Sequence, residues 1–299
     1  MPSQPASTYR GRLAPSPTGL LHLGHARTSL TAYARARNAN GTLVLRNEDL
    51  DQKRSRPEFY HAIIEDLHWL GMQWDEGPDI GGPFAPYSQS QRRASYLVAF
   101  NQLRNTGFIY PCTCSRKDLA LAATAPHEST AAPNDDDEPL YPGTCRPQSQ
   151  FQPGSLQSYL KNLPSSHSAV NWRFRVPDGE VIAFRDQHFG PQQFIAGSDF
   201  GDFLVWRRDA VPSYQLACVV DDSAMHITEV VRGADLLKST ARQLLLYRAL
   251  GLQPPAWYHC PLVTDSAGER LAKRHNALSI RTLRQQGRTP QELAQSASH

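Results

Sequence analysis

Two histidines separated by a leucine and a glycine, His22-Leu-Gly-His25, stand where an apolar entry containing two prolines, Arg12-Leu-Ala-Pro-Ser-Pro-Thr-Gly, meets an Ala-rich segment. This is the pattern of a strand–loop–helix junction suited to phosphate. The first-turn N–H groups of a helix lack intrahelical partners and carry partial positive charge, and Gly24 lets an anion approach the backbone. The two imidazoles add side-chain donors. A second reactive set is Cys112, Cys114 and Cys145. Five cysteines are an odd number for a disulfide framework, and in a reducing compartment three that cluster are read as metal ligands. Zn2+ prefers four ligands in a closed tetrahedron, so a fourth has to come from elsewhere, and by ligand chemistry His127 is one source. Cys218 and Cys260 sit in apolar runs and read as core. Carboxylates form the third set: Asn47-Glu-Asp-Leu-Asp51 follows a short β-type run, and the C-terminal ends of strands are where open α/β sheets bind ligands. An acidic turn is the plainer reading of the same residues.

These groups need elements to position them. Residues 26–38 read as a helix stopped by Asn40-Gly41, and residues 42–46 as the strand that delivers the acidic stretch. Pro57 suits a first helical turn, and Phe59, Ile63, Ile64, Leu67 and Leu70 recur at helical spacing up to Gly71. A further helix spans roughly residues 92–105. Residues 120–139, rich in Ala, Thr and Asp, have almost nothing to bury and are expected to form a surface loop. Residues 169–176 alternate, and Pro177-Asp-Gly-Glu180 supplies a turn into residues 181–184, a β-hairpin by pattern. Strands are expected over 202–207, over 226–231 with Arg232-Gly233 at the end, and over 257–263. A Leu-rich helix over 236–250 stops at Gly251. Gly233 with Lys238-Ser239 imitates part of a phosphate loop, but Leu237 stands where the second glycine belongs.

At 299 residues the chain can bury a substantial core, and 40% apolar residues fit a globular protein. A net charge of +3 permits contact with nucleic acid without arguing for it. The N-terminus lacks the basic and apolar regions of a secretory signal, and no run reaches the apolar length of a membrane span, so a cytoplasmic location without membrane contact is expected.

The stretch Arg12-Leu-Ala-Pro-Ser-Pro-Thr-Gly with His22-Leu-Gly-His25 resembles the signature of class I aminoacyl-tRNA synthetases of the glutamyl type. Arg270-Leu-Ala-Lys-Arg274 resembles the second signature of that class, the lysine loop. It departs from the Lys-Met-Ser-Lys-Ser consensus at Arg270, Leu271, Ala272 and Arg274 and keeps Lys273. The resemblance implies a Rossmann-type parallel sheet with an inserted α/β acceptor-type subdomain carrying a zinc site. Residues 1–107 and 196–299 would be the two halves of the catalytic domain, the second with the lysine loop and a short C-terminal helix, and residues 108–195 the insert. The 169–184 hairpin is assigned to that insert.

The implied reaction is the activation of L-glutamate: its carboxylate attacks the α-phosphorus of ATP, with Mg2+ present, and pyrophosphate leaves. Such chemistry is accelerated mainly by positioning and by neutralising developing charge. His22, Gly24, His25 and Lys273 would hold ATP, with His22, His25 and Lys273 as catalytic groups. Arg12, Leu13, Ala14, Pro15, Ser16, Glu48, Tyr214 and Arg232 match glutamate-binding positions of the family, Glu48 holding the α-amino group. A γ-carboxylate calls for a guanidinium, so Arg12 and Arg232 are expected on the two substrate carboxylates. The family also implies Tyr141, at a Tyr-x-x-x-Cys position, as the fourth zinc ligand beside Cys112, Cys114 and Cys145. After Lys273, 26 residues remain, whereas an independent domain requires at least roughly 50, so no anticodon-binding domain is expected. That points to a monomeric branch of the family which esterifies glutamate to the queuosine base in the anticodon loop of tRNA(Asp). The alternatives are a compact enzyme charging a tRNA 3′ end and a non-catalytic, zinc-bearing RNA-binding paralogue.

Overall fold

The structure, a computed structural model, describes residues 9–115, 118, 140–148, 170–263 and 279–293. Along the chain, strand β1 (Arg10–Leu13) is followed by helix α1 (Leu23–Asn38), β2 (Thr42–Leu45), α2 (Pro57–Trp69) and α3 (Arg93–Asn105). Next come β3 (Ile109–Cys112), β4 (Asn171–Phe174), β5 (Val181–Asp186), β6 (Gly190–Ile195) and β7 (Phe203–Trp206). The last elements are α4 (Tyr214–Ala224), β8 (Glu229–Gly233), α5 (Leu237–Leu250), β9 (Ala256–Cys260) and α6 (Ile280–Gln285). Local chemistry sets several of these ends. Pro57 opens α2 where its missing N–H is harmless. Gly251 closes α5 with φ +68°, a left-handed conformation that only glycine adopts without a Cβ clash. The first helix starts at Leu23, three residues before the position expected from the Ala-rich run, because His22 caps it.

One layer of the molecule is parallel. β1 and β2 pair in register from Arg10↔Thr42 to Leu13↔Leu45, and β8 and β9 from Glu229↔Ala256 to Gly233↔Cys260. The two pairs adjoin: the Thr228 amide donates to the Arg10 carbonyl at 2.9 Å, and Arg12 Nη1 donates to the Val231 carbonyl at 2.9 Å. Residue 10 therefore lies by 228 and residue 12 by 231, so β1 and β8 run the same way. The spatial order is β2-β1-β8-β9, in which the chain leaves β1 on one side through β2 and is met on the other by β8. In open α/β sheets a crevice at the C-terminal ends beside such a switch point is where ligands bind. α1 packs on this layer, burying Ala26, Ala32 and Ala36, and a core of Leu13, Leu43, Leu45, Ile63, Leu67 and Val231 fills the space toward α2.

Two features differ from the sequence reading. The strand at 171–174 does not form a hairpin with residues 181–184; it is the middle strand of an antiparallel sheet ordered β3-β4-β7. The turn at Pro177–Glu180 exists, with Gly179 at φ +78°, but its Gly179 amide donates to the Ala196 carbonyl and its Glu180 carbonyl accepts the Ala196 amide. The reason is that β3 and β7 occupy both edges of β4, so β5 has no edge there to pair with. β5 instead pairs with β6 and, at Asp186↔Trp257, runs parallel to β9. The 181–195 hairpin thus extends the sheet containing β8 and β9, and that sheet is mixed through its antiparallel β6 edge. The expected surface loop at 120–139 lies outside the described residues. Among the described residues no helix is long and apolar enough to cross a membrane.

Candidate active site

The histidine signature forms the N-terminus of α1. His22 Nδ1 accepts the Gly24 amide at 3.1 Å, and His25 Nδ1 accepts the His22 amide at 3.2 Å, a reciprocal capping box built from two imidazoles. Because both Nδ1 atoms accept, the proton of each neutral ring resides on Nε2. The rings lie 3.8 Å apart, centroid to centroid. Gly24 is needed for this packing: a Cβ there would stand 2.9 Å from His22 Cε1. Ser279 bridges to His22 and the Ile280 amide donates to the Leu21 carbonyl at 2.8 Å. The chain six residues beyond Lys273 is thereby fastened to the histidine signature. Lys273 itself lies outside the described residues.

The loop after β1 carries Ala14, Pro15 and Ser16 past the end of β2. The Leu13 carbonyl accepts the Arg46 amide at 2.8 Å and the Pro15 carbonyl accepts the Glu48 amide at 3.2 Å. Behind it sits a buried cluster of alternating charge. Arg46, wholly inaccessible, donates to Glu48 Oε1 at 2.9 Å and to Asp222 Oδ1 at 2.6 Å. Arg12 Nε lies 3.5 Å from the same Asp222 oxygen, yet it is buried without a hydrogen-bond partner among the described residues. Burial pushes the Glu48 carboxyl above its ordinary value, with Arg46 and Arg12 pulling it back. The Cys218 thiol, raised well above its usual range by burial and by Glu48, stands 3.7 Å from Glu48 Oε1.

Tyr214 opens α4. Burial raises its phenol well above the ordinary value, and Cys218, Arg232, Glu48 and Arg12 are all close enough to act on it. Arg12, Glu48 and Arg232 thus all lie within electrostatic reach of Tyr214. Arg232, at the end of β8, donates Nε to His259 Nε2 at 3.1 Å, Nη1 to Gln243 Oε1 at 2.9 Å and Nη2 to Thr240 Oγ1 at 2.6 Å. Its positive charge makes no ion pair among the described residues. Sequence reasoning missed Arg46, Asp222, Thr240, Gln243 and His259. One signal was present: Asp221-Asp222 ends an otherwise apolar run in α4, and buried acids imply buried cations.

The thiols converge at the end of β3. Cys112, Cys114 and Cys145 place their sulfurs within 4.8 Å of one another, Cys114 to Cys145 at 3.6 Å. The Tyr141 hydroxyl oxygen stands 3.4 Å from Cys112 Sγ and 3.6 Å from Cys114 Sγ. Around a tetrahedral zinc with bonds of about 2.3 Å to sulfur and about 2.0 Å to oxygen, the corresponding edges are about 3.8 and 3.5 Å. Donor type and spacing both fit that ion. His127 lies outside the described residues.

Comparison with known proteins shows the family. The family described as tRNA synthetases class I (E and Q), catalytic domain, matches residues 8–297. A protein of Nitratidesulfovibrio vulgaris named glutamyl-Q tRNA(Asp) synthetase is 52% identical across 93% of this chain and 82% of its own length. One of the same name from Symbiobacterium thermophilum is 49% identical across 95% of this chain and 83% of its own. A crystal structure of a glutamate tRNA ligase from Elizabethkingia meningosepticum in complex with its amino acid superposes with a TM-score of 0.75 at 32% identity, covering 90% of this chain and 52% of that one. The chain spans about half the length of that structure.

Proposed function

The chain belongs to the catalytic-domain family of the class I glutamyl- and glutaminyl-tRNA synthetases and is a ligase of that family, and from this premise we propose that it activates L-glutamate with ATP and transfers it to the queuosine base of tRNA(Asp). One observation carries the reading: the segments assigned to phosphate and to glutamate leave the C-terminal ends of neighbouring parallel strands. The histidine signature follows β1, Glu48 follows β2, Arg232 ends β8, and the chain bearing Lys273 follows β9 and returns to His22 at Ser279.

In this reading the α1 N-terminus, with Gly24, His22 and His25, takes the ATP phosphates, and Lys273 neutralises the departing pyrophosphate, with Mg2+ on the nucleotide. Arg12 and Arg232 hold the two carboxylates of glutamate, and Glu48 holds its α-ammonium group. Among the described residues, Arg12 Nε is buried without a hydrogen-bond acceptor and the Arg232 charge makes no ion pair. Leu13, Ala14, Pro15 and Ser16 form the wall against which the amino acid lies, and Tyr214 closes it from α4. The activated carboxyl is then attacked by a hydroxyl of the queuosine ring, forming an ester and releasing AMP. Cys112, Cys114, Cys145 and Tyr141 would hold zinc, which braces the chain at the end of β3. Elemental analysis should find up to one zinc per chain, reduced in the Tyr141→Phe variant.

The deciding experiment has two stages. Purified protein should exchange labelled pyrophosphate into ATP when glutamate is present, and Lys273→Ala should lose turnover more than affinity, because the lysine charge is matched to the transition state. Labelled glutamate should then enter tRNA(Asp) from queuosine-containing cells and remain on an isolated anticodon arm, with none entering tRNA from cells that lack queuosine. Labelling of tRNA(Glu) at its 3′ end, with the anticodon arm unlabelled, would replace this reading with that of a compact glutamyl-tRNA synthetase. No exchange at all would favour the RNA-binding paralogue.

A further inference from the structure

Arg232 and His259 are direct register partners on the adjacent parallel strands β8 and β9, so their side chains emerge on the same face. Behind them, Asp186 ends β5, which runs beside β9. All three side chains are buried. The Asp186 carboxylate is fully engaged. Oδ2 takes the His259 amide at 3.1 Å and His259 Nδ1 at 2.7 Å, while Oδ1 takes the amides of His188 and Phe189 at 2.9 and 2.8 Å.

A carboxylate only accepts, so His259 Nδ1 must carry the proton, and the neutral ring then presents a lone pair at Nε2. Arg232 Nε donates to that lone pair. The imidazole is kept neutral by burial and by the adjacent Arg232 charge, which together push it down to about 4 against the pull of Asp186. Had a carboxylate stood where His259 stands, it would ion-pair with Arg232 and compete with any anion offered to it. Had Nε2 been protonated, two N–H groups would face one another.

We propose that His259 and Asp186 are positioning residues for glutamate selection: Asp186 fixes the ring so that His259 aims the Arg232 guanidinium without neutralising it. The charge of Arg232 is thereby oriented and left for the substrate carboxylate. Thr240 and Gln243, both neutral acceptors, hold the other two nitrogens in the same manner. The inference rests on the reading of Arg232 as a glutamate contact.

Pyrophosphate exchange with glutamate and ATP varied separately tests it in the full-length His259→Leu, His259→Gln, Asp186→Asn and Arg232→Gln variants. His259→Leu and Asp186→Asn should raise the KM for glutamate by about tenfold or more, the scale of one hydrogen bond to a charged group, with kcat and the KM for ATP within about twofold. His259→Gln, whose amide oxygen can accept from Arg232 Nε, should restore most of the loss. Thermal melting checks folding; if His259→Leu does not fold, Asp186→Asn and His259→Gln decide.

Parent-like KM values for glutamate in folded His259→Leu and Asp186→Asn overturn the inference. So does a parallel change in both KM values and kcat, which marks a merely structural role, or a His259→Gln no better than His259→Leu. Arg232→Gln separates the two levels. If it leaves glutamate KM unchanged, the reading of Arg232 fails and the inference with it; if it raises that KM while the other variants do not, the positioning role alone fails.

Discussion

Arg46 and Arg232 are both buried arginines at the C-terminal ends of parallel strands that flank β1, yet their partners are opposite in kind. Arg46 meets two carboxylates, Glu48 and Asp222, and although burial works against its charge, Asp222, Glu48 and Asp221 hold it firmly protonated. Arg232 meets a hydroxyl, an amide oxygen and an imidazole lone pair, and the nearest link to an anion passes through a neutral ring. A guanidinium matched by carboxylates has little left to offer a ligand, and its role is to make a polar interior tenable. One surrounded by neutral acceptors is held in place with its charge intact, the arrangement that suits recognition of an anion. The difference teaches that burial alone does not mark a binding residue; the formal charge of its partners does.

The largest expected effect tests the first half of that contrast. Arg46→Met removes the cation between Glu48 and Asp222 and leaves two acids facing each other in the interior, with only Arg12 nearby. Breaking a buried pair in this way costs about 3–5 kcal/mol. Urea unfolding should show that loss in the midpoint. A variant as stable as the parent would mean that Arg46 is not the structural member of the comparison.

Arg232→Gln tests the second half, with a smaller effect that falls on function. Its partners are neutral, so folding should change little, whereas kcat/KM for glutamate should fall by about 2–3 kcal/mol, roughly 30- to 150-fold. The preference for glutamate over glutamine should narrow as well. Steady-state exchange kinetics with both amino acids read this directly, and a large loss of stability with unchanged glutamate preference would erase the distinction from Arg46.

Much of this contrast was hidden from the sequence. The cap at the start of α1 was legible because its physics is local: His22, Gly24 and His25 form it within four residues. Arg12, Glu48, Tyr214 and Arg232 became legible as a set only through resemblance, since they come from four separate segments. Partner identity was not legible at all. Nothing in the pattern of β2 says that Arg46 will meet Asp222, or in β9 that His259 will face Arg232, because strand register across a sheet is decided by long-range pairing. The misplaced hairpin has the same cause: alternation at 171–176 reported a strand correctly, but not that β3 and β7 would occupy both of its edges.

A third buried charge extends the comparison to a group with neither kind of partner. Asp66 on α2 is inaccessible, and both its carboxylate oxygens lack hydrogen-bond partners among the described residues. Burial pushes it up from 3.8 to about 6, with Arg281 and Arg284 on α6 pulling weakly the other way. The sign follows from proton binding: between 3.8 and about 6 the native protein holds a proton that the unfolded chain has released, so stability falls as pH rises through that window. Above it, the native state carries a buried, unmatched anion. Asp66→Asn should therefore stabilise the protein at neutral pH by about 1–2 kcal/mol, less than the full linkage because the amide is itself poorly satisfied there. The gain should fall by about 1.4 kcal/mol between pH 7.5 and pH 5, nearly vanishing there, and turn into a small loss below about pH 4. Urea midpoints of parent and variant at pH 7.5 and pH 5 measure it. A gain independent of pH would show that Asp66 is ionised in the folded protein at both values, as it is in the unfolded chain, and a loss at pH 7.5 would show that its charge, like that of Arg46, is matched after all.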